Sequence, residues 1–106
     1  MEKINACDDG CPVKKSLNIL GGKWTLLILY QINDRVIRYG ALKRQITGIS
    51  EKMLIQELNR LIASDLVSKK VYPEIPPKVE YRLTEKGLQS LLIVEQLELF
   101  ALENLT

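Results

Sequence analysis

Lys52, Gln56 and Asn59 are spaced so that, at about 100° of turn per residue, all three fall on one side of a helix, opposite Leu54, Leu58, Leu61 and Ile62. That side carries multi-donor side chains, with Arg60 at its flank and Glu51 and Glu57 off to its edges. Lysine suits guanine acceptors or a phosphate, and side-chain amides pair with adenine edges, so the face has the chemistry to read bases in a major groove. Ser50, a good N-cap, would with the free N–H groups of the first turn hold a phosphate. Met53 or Ile55 at the flank would meet a thymine methyl. A merely solvated face would look the same in isolation, so the elements before and after it decide.

Those elements follow from punctuation and periodicity. Cys11-Pro12-Val13 opens a first helix and Gly21-Gly22 stops it, with Val13, Leu17 and Leu20 at helical spacing and Ile19 beside them. A second helix is expected from about Lys23 to Ile32, with Trp24, Leu27, Ile28 and Ile32 on one side. Val36 to Tyr39 is short and β-branched, hence a brief strand; Gly40 releases a short helix, Ala41 to Ile46, and Thr47-Gly48-Ile49 makes a tight turn. The helix that follows runs from Ser50 to about Ser64. Val67 to Tyr72 and Val79 to Leu83 are the strands of a hairpin. Their connection, Pro73 to Lys78, holds three of the four prolines, which keeps the tip out of the ladder. Thr84 caps a last helix, Glu85 to about Asn104.

This order predicts a mainly α fold with a small β-hairpin, a winged helix-turn-helix, in one domain covering residues 1–106. The reading helix is expected at about 50–64 and the wing at about 67–83. The last helix holds ten large apolar side chains between Leu88 and Leu105, more than one stripe can absorb. In 106 residues there is little else to cover them, which points to a homodimer. Two-fold symmetry would set two reading helices roughly 34 Å apart, one turn of duplex, on an inverted repeat.

Charge fits a polyanion partner. The chain totals only +2, but residues 35–86 carry a net +5 while residues 87–106 carry −3. Arg38, Lys43 and Arg44 are expected on the phosphate backbone. Lys78, beside the wing tip, is expected at a phosphate or the minor groove, supported by Lys69, Lys70 and Arg82. Composition excludes much else. There is no histidine, so imidazole bases, Ser-His-Asp or Cys-His triads and the commonest metal ligand are absent. Two cysteines do not close a zinc site, and no glycine-rich phosphate loop occurs. No enzyme activity, cofactor or metal is therefore expected. At 46% hydrophobic and 26% charged residues the chain is not of disordered type, and no run reaches the ~18 apolar residues of a membrane helix. With no signal-peptide stretch at the N-terminus, a cytoplasmic protein is expected.

Several segments resemble the HxlR family of bacterial and archaeal winged-helix transcription regulators. They are Cys11-Pro12-Val13, Gly21-Gly22-Lys23-Trp24 with Leu27-Ile28-Leu29, Ile49-Ser50-Glu51-Lys52-Met53-Leu54, the wing Val71 to Tyr81, and Leu83-Thr84-Glu85-Lys86-Gly87. The resemblance implies a homodimeric regulator of double-stranded DNA whose first and last helices, about 12–20 and 85–104, form the dimer interface. It also aligns Cys11 with a family cysteine through which some members sense oxidants or electrophiles.

By its own chemistry, a Cys11 thiol at a helix N-terminus with Lys14 and Lys15 within a turn should be unusually reactive. Redox sensing at Cys11, with Cys7 four residues before it, stands against the plainer reading of a small buried side chain and an idle one in the tail. A small-molecule or oxidant effector is the corresponding partner. Two other readings compete with DNA regulation: a winged helix that only binds protein, and a thiol oxidoreductase. The first would present a neutral reading face, and the second lacks the two-residue cysteine spacing.

Overall fold

Two hydroxyls start the two longest helices. The Ser50 Oγ accepts from the Met53 N–H at 3.1 Å, and the Thr84 Oγ1 accepts from the Gly87 N–H at 3.0 Å. The computed structural model describes residues 8–105. In chain order the elements are α1 (Pro12–Leu20), α2 (Thr25–Ile32), β1 (Ile37–Arg38), α3 (Tyr39–Gln45), α4 (Glu51–Ala63), β2 (Val67–Tyr72), β3 (Lys78–Leu83) and α5 (Glu85–Asn104). The strands form one antiparallel sheet in the order β1-β3-β2. Five helices and a small three-stranded sheet make the winged helix-turn-helix that the punctuation predicts.

Two local expectations need correction. The short helix begins at Tyr39 rather than Ala41, because Arg38 is the last extended residue (φ −80°, ψ 153°) and Tyr39 and Gly40 already lie in the helix. On α2 the buried arc is Thr25, Ile28, Leu29 and Ile32, whereas Leu27 is half exposed. Ile28 and Ile32 lie on the expected side, but the first member of the arc is polar, so the apolar pattern puts Trp24 and Leu27 there in place of Thr25 and Leu29. The tight turn before α4 does contain Gly48 with φ +87°, a conformation that an L side chain rarely adopts.

The core lies where α2, α3 and α4 meet the inner face of the sheet. Ile28, Leu29, Ile32, Leu42, Leu54, Leu58, Leu61 and Val67 are at most 2% exposed, joined by Ile37, Ile46, Ile49, Leu66, Tyr81 and Leu83. Each such side chain contributes about 1.5–3 kcal/mol by leaving water. The strand register divides the sheet faces. Val67, Tyr81 and Leu83 point inward, while Lys70, Tyr72, Lys78, Glu80 and Arg38 share the outer face through the pairs Lys70↔Glu80, Tyr72↔Lys78 and Arg38↔Glu80.

The last helix leaves the body. Only Gly87, Ser90 and Val94 are buried along it. Beyond Val94 the side chains of Leu97, Leu99, Phe100, Leu102 and Leu105 are each about half exposed or more. The described chain accordingly measures 57 × 34 × 24 Å. No helix among the described residues is long and apolar enough to cross a membrane.

Candidate nucleic-acid interface

Helix α4 is anchored by Leu54, Leu58 and Leu61, and this anchoring fixes what its other side presents. Lys52, Gln56 and Asn59 are all exposed and make no hydrogen bond or ion pair with other described residues. Their donors and acceptors are therefore available to an outside partner. Met53 is half-buried against the core and Ile55 is exposed beside the reading face. Ser50 holds the first turn through its oxygen, which leaves its hydroxyl proton for an incoming acceptor. Arg38 and Arg44 are exposed and Lys43 is half-buried, at the start and along the length of α3.

Arg60, expected at the flank of this face among the DNA-binding residues, is held by acceptors within the protein. Its Nη1 donates to the Ile19 carbonyl at 3.0 Å, and its Nη2 donates to the Thr25 Oγ1 at 2.8 Å and the Glu57 Oε1 at 3.0 Å. Its Nε reaches the Glu57 Oε2 at 3.4 Å. The guanidinium is turned along α4 toward α1 and α2, because that is where the acceptors are. Thr25 is fully buried and donates in turn to the Glu57 Oε1 at 3.2 Å. Sequence reasoning gave Thr25 and Glu57 no role. The available signal was a polar residue at the first position of the buried arc of α2.

The wing cations are also held. The Tyr72 hydroxyl donates to the Glu80 Oε1 at 2.8 Å, and the Lys78 Nζ lies 3.5 Å from the Glu80 Oε2 and 4.3 Å from the centre of the Tyr72 ring. Lys70 covers the same ring at 4.9 Å. The Tyr72 hydrogen bond, aided by Lys78 and Arg38 and opposed by partial burial, holds the Glu80 carboxyl below its ordinary value of 4.5. Lys78 is thus a cation clamped between the Glu80 carboxylate and the Tyr72 ring. Lys69, Lys70 and Arg82 are exposed on the strands.

Between α4 and the wing runs a cleft of about 690 Å³, with Ile55 and Asn59 on one wall, the wing residues Ile75 to Val79 on the other, and Arg38, Lys69 and Lys78 along it. Tyr39 also lines it, yet the Tyr39 hydroxyl is buried with no hydrogen-bond partner among the described residues. Burial, and after it the Glu51 carboxylate, pushes that hydroxyl above its ordinary value of 10.0. Burial and then Tyr39 do the same to Tyr81.

Cys11 is the N-cap residue of α1, half-buried, and disulfide-bonded. In this disulfide-bonded state the Cys11 sulfur is not a thiolate nucleophile. Lys14, expected to activate it, instead pairs with Asp9 at 2.8 Å on the open surface. Cys7 lies outside the described residues. No cluster of metal-ligating side chains occurs among the described residues.

The helix-turn-helix followed by a hairpin wing is shared with known proteins. A family model described as HxlR-like helix-turn-helix matches residues 19–106. The chain belongs to the HxlR-like helix-turn-helix family. Among its relatives, a putative regulatory protein MalR of Fusobacterium mortiferum is 42% identical over 95 residues, covering 89% of this chain and 90% of that protein. The transcriptional regulator YkvN of Bacillus subtilis is 45% identical over 87 residues, 82% of this chain and 74% of that one. Among solved structures, a putative MarR-family regulator from Porphyromonas gingivalis W83 superposes with a TM-score of 0.91 at 56% identity, covering 97% of this chain and 99% of that chain. The redox regulator HypR in its oxidised form gives a TM-score of 0.82 at 37% identity, covering 89% and 97%. This HxlR-like chain is a transcriptional regulator with a winged helix-turn-helix domain.

Proposed function

We propose that the protein regulates transcription by binding double-stranded DNA as a homodimer on an inverted-repeat operator. The observation that carries this reading is the outward face of α4, where Lys52, Gln56 and Asn59 stand exposed, with no side-chain partner among the described residues, opposite a fully buried leucine stripe. Glutamine and asparagine read adenine edges and lysine reads guanine or phosphate. Ser50 and the first-turn N–H groups take a phosphate, Met53 lies at the base-facing flank, and Arg38, Lys43 and Arg44 follow the backbone. Lys78 contacts a phosphate or the minor groove from the wing. Arg60 is left out of this set because Ile19, Thr25 and Glu57 occupy its guanidinium.

The dimer is formed by α1 and α5, whose Val13, Leu17, Leu92, Leu97 and Phe100 lie exposed and apolar on single chains. An oxidant or small molecule is the effector, acting at Cys11. Support comes from the disulfide at that residue and from relatives described as redox regulators.

The test is direct. DNA selected from genomic fragments by the purified protein should lose at least about a hundredfold in affinity for Lys52→Ala/Gln56→Ala/Asn59→Ala, at about 1–3 kcal/mol per base contact. The variant should keep its dimer in size-exclusion chromatography. Unchanged gel-shift affinity would remove α4 as the reading helix. A protein that binds no duplex at any salt would favour a winged helix used only to bind protein. For the effector, diamide should release operator from the reduced wild type and not from Cys11→Ser.

A further inference from the structure

Helix α1 has no buried residue and meets the protein's core through its last turn, where Ile19 and Leu20 are partly covered. At that end, the Ile19 carbonyl accepts from the Arg60 guanidinium. A helix C-terminus concentrates unsatisfied carbonyls and the negative end of the dipole, so a cation is doubly favoured there. The other arm of the same guanidinium holds Thr25 at the start of α2 and Glu57 one turn back on α4. Gly22 lets the parts approach, because a Cβ at that position would sit 2.6 Å from the Thr25 Oγ1 and 3.8 Å from the Arg60 Nη2. One side chain therefore joins the end of α1, the start of α2 and the third turn of α4. Its neighbour in the chain is Asn59, on the reading face.

We propose that Arg60 is a positioning residue, a latch that ties α1 to the reading helix, so that the seat of α1 in the dimer sets the angle at which α4 meets its half-site. This rests on the DNA-reading function proposed above. The latch needs the planar fork of arginine, which bonds two acceptors in different directions; lysine brings one point charge and cannot span them. It also needs the Thr25 hydroxyl, which accepts from Arg60 and donates to Glu57, closing the network. A shift of α1 must either break these bonds or carry α4 with it.

The test uses the full chain with Arg60→Gln, Arg60→Lys and Thr25→Val. Amide hydrogen exchange over residues 12–20 is measured, and so is binding to the selected operator with its half-site spacer changed by one base pair. The expected result is exchange about tenfold faster across α1 in Arg60→Gln and Thr25→Val, the scale of a lost charge-assisted hydrogen bond. The preference for one spacer should flatten, the slope of affinity against salt should be unchanged, and Arg60→Lys should behave as Arg60→Gln. Thr25→Val keeps every cation in place, so it reads the latch even where an Arg60 variant folds poorly. Unchanged exchange over 12–20 in both Arg60→Gln and Thr25→Val overturns the proposal. So does a uniform loss of affinity on all sequences with a salt slope shallower by about one and rescue by lysine, which is the behaviour of a phosphate contact. Should the wild type bind no duplex, the functional reading fails, and the exchange measurement still decides the latch.

Discussion

At the scale of single residues, the Tyr39 hydroxyl is buried without a hydrogen-bond partner among the described residues, and its elevated ionisation range follows from burial and the nearby Glu51 carboxylate. Leaving a buried hydroxyl unpaired costs about 1–3 kcal/mol, whereas removing it leaves only a ring that packs on the core. Tyr39→Phe should therefore be neutral to stabilising by about 1 kcal/mol in urea unfolding, where most substitutions at a packed site destabilise. A loss of more than about 1 kcal/mol would mean that the hydroxyl has a partner in solution. Arg60 gives the opposite lesson. Its charge and its place on the flank of α4 suggested DNA, but three acceptors from α1, α2 and α4 converge on it. Sequence periodicity gives the angular position of a side chain; it does not show which acceptors the fold brings to its tip.

At the scale of elements, the cations on the outer face of the wing sheet gather around the Glu80 carboxylate. Glu80 accepts from Tyr72, pairs with Lys78 and faces Arg38. Glu80→Gln removes the one negative charge in direct contact with Lys78, leaving that ammonium to a phosphate. The slope of log affinity against log salt should steepen by up to about one, measured by fluorescence anisotropy from low to moderate salt. An unchanged slope would show that Lys78 stays away from the backbone. Because the folded-state value of Glu80 is lowered, its contribution to stability is present above 4.5 and lost as pH falls through the lowered value. The difference between wild type and Glu80→Gln should hence vanish in acid. Most of the elements were legible beforehand: Ser50 and Thr84 are caps, the prolines of the connection break the ladder, and β3 alternates with period two. The exact start of α3 and the buried arc of α2 were not, because Gly40 reads as a breaker and Thr25 reads as polar surface until the long-range partner Arg60 is known. The Tyr72–Glu80 bond was equally hidden, since it depends on the register that pairs Tyr72 with Lys78 and Lys70 with Glu80.

At the scale of the molecule, charge and apolar surface are segregated along the chain. Residues 35–86, with a net +5, include α4 and the wing strands, whereas residues 87–106 are net −3 and include most of α5, the helix that leaves the body. In the DNA-binding role proposed above, a duplex would attract the first region and repel the second, orienting approach before any contact is made. The emerging part of α5 holds Leu97, Leu99, Phe100, Leu102 and Leu105, between 49% and 71% exposed, a patch that a stable soluble chain covers. In the dimer proposed above, a second copy would cover it most economically, since a two-fold interface uses the same apolar strip twice, and would set two α4 helices at a fixed separation. Leu97→Asp/Phe100→Asp tests this without touching the core, because both side chains lie outside it in the single chain. At about 1.5–3 kcal/mol for each apolar side chain returned to water, the pair should raise the dimer dissociation constant at least about a hundredfold. Light scattering at micromolar concentration should then report a monomer with unchanged far-ultraviolet circular dichroism. Operator affinity should fall with the dimer, because each half-site would be held by a separate molecule. A variant that remains dimeric and binds the operator as wild type would place the interface on another face, and with it the geometry by which two α4 helices share one repeat.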